Sequence, residues 1–164
     1  LTSRYTGSTA QLVWRTLDAH HDGMLDGWET RYGLSPTDAA DAALDSDGDG
    51  VTNAQEFAVR SHPKAIASAQ RVFAEGAAGT FFDTQVHVFN PGTTAANVVV
   101  GFLSPTGTRT SQAVKLPAKA RTTLASCCLG TMTADEFSTV VESDVPVVAE
   151  RGMSWDRVTG YGSH

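Results

Sequence analysis

The sequence predicts an α+β fold that is mainly β, in which a small module of acidic loops and short helices precedes an antiparallel, Ig-like β-sandwich. Acidic residues recur at a regular spacing in the first third of the chain, which indicates the loops. Short runs rich in Val, Phe and Thr recur about every ten positions beyond it, which indicates the sandwich. We expect a terminal strand or linker over 1–17, the loop module over 18–63, a linker over 64–73 and the sandwich over 74–164.

Charge is distributed unevenly along the chain, which has a formal net charge of −6. Residues 1–62 hold ten acidic residues and four arginines, whereas residues 63–164 hold eight acidic and eight basic residues. The whole surplus therefore surrounds the acidic loops, which favours cations and argues against nucleic acid as the partner. No apolar run is long enough to span a bilayer as a helix. The chain starts at Leu1 rather than Met, so we expect a mature or partial segment.

The strongest motif is the twelve-residue stretch from Asp45 to Glu56, with the sequence DSDGDGVTNAQE. It places carboxylates at positions 1, 3, 5 and 12 and a glycine at position 6, which is the spacing of an EF-hand-style calcium loop. The alternative is an acidic surface turn that caps a helix. The predicted ligands are the side chains of Asp45, Asp47, Asp49, Asn53 and Glu56 and the backbone carbonyl of Val51.

A weaker copy of this motif begins 27 residues earlier, at Asp18. Position 3 is His20, and a neutral imidazole suits zinc or copper better than calcium. Water at position 3, or a weak site, would reconcile the loop with calcium. A transition-metal site built from His20 and His21 is the alternative. The predicted ligands are Asp18, His20, Asp22, Asp26 and Glu29 with the carbonyl of Met24, so the module should hold one or two Ca²⁺ ions.

Short helices are expected over 27–32, 39–44 and 52–60. Only fifteen residues, 30–44, separate the two loops. A complete EF-hand pair needs an exit helix, a linker and an entering helix in that gap, and those helices are commonly ten residues or more each. The module should therefore consist of loop and short-helix repeats whose metal is structural, rather than a sensor that opens a helix pair.

Residues 18–63 resemble the bacterial thrombospondin type 3-like repeats, whose loops have the form D-x-D-G-D-G-x-T-N-x-x-E. They are similar, more loosely, to the duplicated loops of dockerins. The resemblance implies calcium loops in a secreted or surface protein. The usual Gly-Thr-Asp-Pro ending is Arg60-Ser61-His62-Pro63 here, so a ligand taken from that Asp is missing.

The second part of the chain shows the alternation of half-buried strands. Thr84, Val86 and Val88 should share one face of the first strand, opposite His87 and its neighbours. The predicted strands are Phe81–Phe89, Ala96–Leu103, Thr108–Leu116, Ala120–Ser126, Phe137–Ser143 and Val145–Met153.

Residues 74–164 also resemble a recurrent β-sandwich module of bacterial surface proteins, and no activity follows from that resemblance. The segments that carry it are Ala74-Glu75-Gly76, Phe82-Asp83-Thr84, Asn90-Pro91-Gly92, Val148-Ala149-Glu150-Arg151 and Trp155.

The cysteines do not favour an enzyme. Cys127 and Cys128 are adjacent, match no zinc motif, and are interpreted as structural, with a vicinal or intermolecular bridge as the alternative. A nucleophile paired with His87 and Asp83 would lack a nucleophile elbow. An ion pair between Glu75 (or Glu150) and Arg151 is one interpretation of these charges, and separate solvated charges are the alternative.

The sequence thus predicts a non-enzymatic, calcium-binding structural or adhesion module of a secreted or cell-surface protein. Its partners would be other proteins or copies of itself in a surface assembly. The alternatives are an accessory region of a larger secreted hydrolase, which would anchor it or bind glycan, and a dockerin-like docking module.

Overall fold

A computed structural model describes residues 17–79, 81–125 and 136–155 and the backbone of 162–163. The predicted terminal strand or linker over 1–17 lies almost wholly outside these residues, and Cys127 and Cys128 lie outside them as well. The chain divides into two compact units, Leu1–Val59 and Arg60–His164. No helix in the described residues is long and apolar enough to span a membrane.

The first unit contains two seven-residue helices, α1 (Asp26–Tyr32) and α2 (Asn53–Val59). Helix α1 ends at Gly33, which adopts a left-handed φ of 66° that a glycine tolerates at a helix C-terminus. The predicted helix over 39–44 is reduced to a single 3-10 turn, Asp41–Ala43. The described part of this unit therefore agrees with the predicted loop and short-helix repeats.

The second unit is a β-sandwich of two antiparallel sheets. In the described residues, one sheet has the strand order β1-β6-β3-β4 and the other β5-β2-β7-β8. The strands are β1 (Arg71–Phe73), β2 (Phe82–Phe89), β3 (Ala96–Leu103), β4 (Arg109–Leu116), β5 (Arg121–Ala125), β6 (Ser138–Ser143), β7 (Val148–Trp155) and β8 (Gly162–Ser163).

The core of the sandwich is apolar and draws on both sheets, so the sheets pack face to face. Strand β2 shows the predicted alternation, with Thr84, Val86 and Val88 fully buried and His87 only partly so. The buried cluster consists of Val86, Val88, Ala96, Val98, Val100, Phe102, Leu116, Leu124, Phe137, Val141 and Val147. The α+β, mainly β sandwich predicted from the sequence is confirmed.

Two local expectations differ from the structure. The segment 64–73, expected to be a linker, contains a 3-10 turn and then strand β1, whose residues pair with Thr139–Val141 of β6. Arg151 donates a hydrogen bond to the backbone carbonyl of Glu75 rather than pairing with its carboxylate. Among the described residues of the sandwich, Arg109 forms an ion pair with Glu142, with Nη2 and Oε2 2.7 Å apart.

Candidate metal centre

The two acidic loops share one set of backbone hydrogen bonds, repeated 27 residues apart. In the second loop, the Oδ1 atom of Asp45 accepts the N–H groups of Gly48 (2.7 Å) and Asp49 (3.2 Å), and Oδ2 accepts that of Gly50 (2.9 Å). These bonds curl the chain around the first carboxylate. A φ of 91° at Gly50 makes the turn that a residue with a Cβ would resist.

The first loop repeats these contacts with different residues. Asp18 Oδ1 accepts the N–H groups of His21 (2.7 Å) and Asp22 (3.3 Å), and Oδ2 accepts that of Gly23 (3.1 Å). Gly23 has a φ of 93°, close to that of its counterpart Gly50. The weaker copy in the sequence therefore folds as the same loop.

Position 9 closes each loop through its backbone. The N–H of Asp26 donates to the carbonyl of Leu17, and the N–H of Asn53 donates to that of Leu44, both at 2.8 Å. The Asp26 carboxylate also accepts the N–H of Ala19 at 2.9 Å. A backbone hydrogen bond thus joins the two ends of each loop.

Position 7 was expected to supply a backbone carbonyl. The N–H of Met24 donates to Asp22 Oδ1 and that of Val51 donates to Asp49 Oδ1, both at 2.8 Å. These bonds fix the peptide that joins positions 6 and 7 in the same way in both loops. The Met24 side chain is fully buried, so it anchors the first loop as well.

The second loop gathers oxygen donors only. Carboxylate oxygens of Asp45, Asp47 and Asp49 lie within 4.8 Å of one another. Glu56 at position 12 is 2% exposed, and Asn53 at position 9 is fully buried. The Asn53 amide donates to the carbonyl of Asp41 at 2.7 Å, while its Oδ1 atom accepts no hydrogen bond. Such a donor set fits calcium, which prefers oxygen ligands.

Glu29 at position 12 of the first loop is the most deeply buried carboxylate of that loop. It is 0% exposed, and neither of its carboxylate oxygens accepts a hydrogen bond. Burial raises the pKa of Glu29 to about 7, with Asp22, Asp41 and Asp26 adding to the rise and His20 opposing it. A cation beside these oxygens would favour the charged form of Glu29 and lower its pKa again.

His20, at position 3 of the first loop, lies among the carboxylates. Its Nε2 atom is 3.0 Å from Asp22 Oδ2 and 3.4 Å from Glu29 Oε1, and its Nδ1 atom is 3.8 Å from Asp18 Oδ1. Burial lowers the pKa of His20, but the three carboxylates outweigh it and the pKa is raised. His21 is exposed and belongs to none of the metal-ligand clusters found in the described residues.

The position-1 carboxylates are held in their charged form by the loop itself. The N–H groups of Gly50, Gly48 and Asp49 lower the pKa of Asp45. Partial burial raises the pKa of Asp18, but the corresponding N–H groups outweigh it and the pKa is lowered. Both loops therefore present an ionised carboxylate at position 1, as a cation site requires.

Asp41 is a candidate ligand that the sequence analysis missed. Its Oδ2 atom accepts the N–H of Ser35 at 2.8 Å, while its Oδ1 atom is buried and accepts no hydrogen bond. Carboxylate oxygens of Asp41, Asp22 and Glu29 lie within 4.8 Å of one another. The one available signal was an acidic residue within the stretch Ala39-Ala40-Asp41-Ala42-Ala43, which was assigned to a helix.

Comparisons with known proteins address the sandwich rather than the loops. A family model described as a family of unknown function, DUF5719, matches residues 62–160. No curated protein matches the chain. The crystal structure of Thermotoga maritima 1070 is similar over 58% of this chain and 88% of its own, with 19% identity and a TM-score of 0.54, which supports the fold alone. The Anabaena sensory rhodopsin transducer is similar over 53% of this chain and 84% of its own, with 20% identity and a TM-score of 0.45.

Proposed function

This chain belongs to DUF5719, a family of unknown function, and we propose that its acidic module is a non-enzymatic, calcium-binding structural element of a secreted or cell-surface protein. In this proposal Ca²⁺ binds the second loop through Asp45, Asp47, Asp49, Asn53 and Glu56, with the carbonyl of Val51. The first loop is a second cation site. The ions stabilise the module and do not take part in a reaction.

The observation that carries the proposal is the polar interior of the first unit. Among residues 17–59, the buried apolar side chains are Met24 and Tyr32. Burying a carboxylate is costly unless an opposite charge or hydrogen bonds accompany it. More polar than apolar side chains are nevertheless buried there, namely Asp26, Glu29, Asp41, Asn53 and Glu56.

The module's Lys and Arg content cannot supply that opposite charge, and the His20 ring reaches carboxylates of the first loop alone. Residues 17–59 contain ten acidic side chains and a single Lys or Arg, Arg31. Arg31 is exposed and lies over the ring of Tyr32, 5.8 Å from its centroid. Divalent cations are the simplest source of positive charge that fits between the carboxylates, and a small domain gains much of its stability from such metals.

Exposure of the second loop favours an extracellular setting. Asp45 and Asp49 are exposed, so the ion would remain partly hydrated and would bind weakly. Extracellular calcium modules have dissociation constants of about 10⁻⁴–10⁻³ M, which matches the calcium available outside cells. Partners in the proposal are other proteins or further copies in a surface assembly.

The two loops repeat the same hydrogen bonds between backbone N–H groups and the position-1 carboxylate, and this duplication favours one alternative, a dockerin-like docking module. That function predicts a tight protein ligand for the faces beside the loops, which a pull-down with the folded, calcium-loaded chain would identify. An accessory role in a secreted hydrolase predicts a catalytic domain elsewhere in the full protein.

Thermal unfolding of the chain in Ca²⁺ and in chelator tests the proposal. Calcium at 100 times its dissociation constant should add about 2.7 kcal/mol of stability per site. Replacing Asp45 and Asp49 together by Ala should remove most of this gain, whereas Asp18→Ala should remove less. The matched control is Glu150→Gln, an exposed carboxylate of β7, which should retain the whole shift.

A melting temperature that is the same in calcium and in chelator would contradict the structural role of the ion. Equal losses in the Asp45/Asp49 and Asp18 variants would contradict the ranking of the two loops.

A further inference from the structure

We propose that the first loop selects a first-row transition-metal ion such as Zn²⁺, held by the His20 imidazole together with the carboxylates of Asp22, Glu29 and Asp41. The two loops would then share one backbone frame but bind chemically different ions. This inference deepens the proposed function, because it assumes a cation in the module. The calcium site of the second loop is tested without it.

The two loops differ most clearly in the donor atom at position 3. The second loop has the carboxylate of Asp47 there, and the first has the ring of His20, which turns inward and leaves 11% of its side chain exposed. Calcium accepts oxygen ligands, whereas imidazole nitrogen is a preferred ligand of zinc and of other late first-row metals. Because the hydrogen bonds to the position-1 carboxylate and from the position-7 N–H are the same in both loops, the donor atom at position 3 is a clear source of selectivity.

Distances around His20 Nε2 suit a small ion. Asp22 Oδ2 and Glu29 Oε1 lie 3.0 Å and 3.4 Å from this nitrogen. Ligands bonded to Zn²⁺ at about 2.0–2.1 Å in a tetrahedron are about 3.3 Å apart, so one ion can reach all three atoms with little movement. The Asp22 side chain is 2% exposed and Glu29 is 0% exposed, which keeps competing water away from both.

An unsatisfied oxygen completes the set from outside the loop. Asp41 is 7% exposed, its Oδ1 atom accepts no hydrogen bond, and its carboxylate lies within 4.8 Å of those of Asp22 and Glu29. The other oxygen is fixed by the N–H of Ser35, which orients the carboxylate. One imidazole nitrogen and three carboxylates provide four protein ligands of types that Zn²⁺ accepts.

Asp45→Ala, which disables the second loop, provides the background for the test. Isothermal titration of this variant should show Zn²⁺ binding at least about tenfold tighter than Ca²⁺. Adding His20→Asp to this variant places a carboxylate at position 3 of the first loop, where the second loop has Asp47. It should weaken Zn²⁺ binding by about tenfold or more and strengthen Ca²⁺ binding, while His21→Ala should change neither.

Co²⁺ gives a spectroscopic readout of the same site. Its visible absorption in the Asp45→Ala variant should report a nitrogen ligand, and the His20→Asp change should abolish that signature. Calcium binding by the single variant His20→Asp through its intact second loop will show that the module still folds.

Three results would overturn the inference: Ca²⁺ binding as tight as Zn²⁺ in the Asp45→Ala variant, unchanged Zn²⁺ affinity after His20→Asp, or no binding of either ion by the first loop. In the last case a protonated His20 itself would balance the carboxylates. Calcium-dependent stability of the wild-type chain would still support the proposed function.

Discussion

Asp41 shows how one side chain can serve two parts of the module. One carboxylate oxygen accepts the N–H of Ser35, and the carboxylate lies near those of Asp22 and Glu29 in the first loop. The carbonyl of Asp41 accepts a hydrogen bond from the Asn53 amide in the second loop. The same residue therefore contacts both loops. Its charge matters only for the cation, because the backbone contacts need an oxygen but no charge.

Asp41→Asn is expected to weaken cation binding by the first loop by on the order of tenfold, since it removes one negative charge and keeps an oxygen for the N–H of Ser35. Titration of Zn²⁺ and Ca²⁺ into the Asp45→Ala background measures the effect. Asp38→Asn is the matched control, because Asp38 is exposed and accepts only the N–H of Ala40. Equal affinities in the Asp41 and Asp38 variants would show that Asp41 is not a ligand.

Sequence patterns located most of the candidate ligands because the twelve-residue loop is a local structure, curled by hydrogen bonds between residues two to five positions apart. Asp41 was missed because its approach to Asp22 and Glu29 depends on how the chain between the loops folds back. The orientation of His20 was also undecided, since periodicity does not show which way a ring turns.

Three neighbouring strands of the sandwich are joined by an ion pair that crosses the middle one. Arg109 on β4 reaches over Gly101 on β3 to Glu142 on β6. The absence of a side chain at Gly101 leaves room for the Arg109 guanidinium. A Cβ at this position would lie only 2.7–2.8 Å from it. Glu142 is 5% exposed, so its carboxylate depends on that arginine for its charge partner.

Gly101→Ala is therefore expected to displace Arg109 and leave Glu142 poorly paired, at a cost of about 1–3 kcal/mol in the free energy of unfolding. Urea denaturation measures the loss. Gly152→Ala on β7 is the control, since a Cβ there would meet only His87 Nε2 at an ordinary 3.6 Å. Equal denaturation midpoints for the two variants would argue against the role of Gly101.

Strand positions were predictable to within a few residues because apolar and polar residues alternate along most of the strands in the sequence. Ala96–Leu103 agrees at both ends, and the predicted 108–116 strand begins one residue later, at Arg109. Strand β1 escaped prediction since it has only three residues and pairs with β6, which lies nearly 70 residues further along the chain. Short strands of this kind depend on non-local pairing rather than on their own pattern.

At the scale of the whole molecule, the two units differ in what fills their interiors. The sandwich buries a continuous apolar cluster, whereas residues 17–59 bury mostly acidic and amide side chains. Apolar burial stabilises a domain without any ligand, while a buried ionised carboxylate needs hydrogen bonds or an opposite charge. The sandwich should therefore be indifferent to metals, and the loop module should depend on them.

Metal removal is expected to loosen the first unit selectively. In hydrogen exchange of the whole chain, chelator should increase amide exchange in helices α1 and α2, because their Glu29 and Glu56 lose the cations that balance them. Amides of β2 and β3 should keep their protection, since both strands lie in the apolar core. The Asp45/Asp49 double Ala variant in calcium should reproduce the chelator's effect on α2. Equal loss of protection in both units, or none in α1 and α2, would contradict this division between a metal-dependent module and a self-sufficient sandwich.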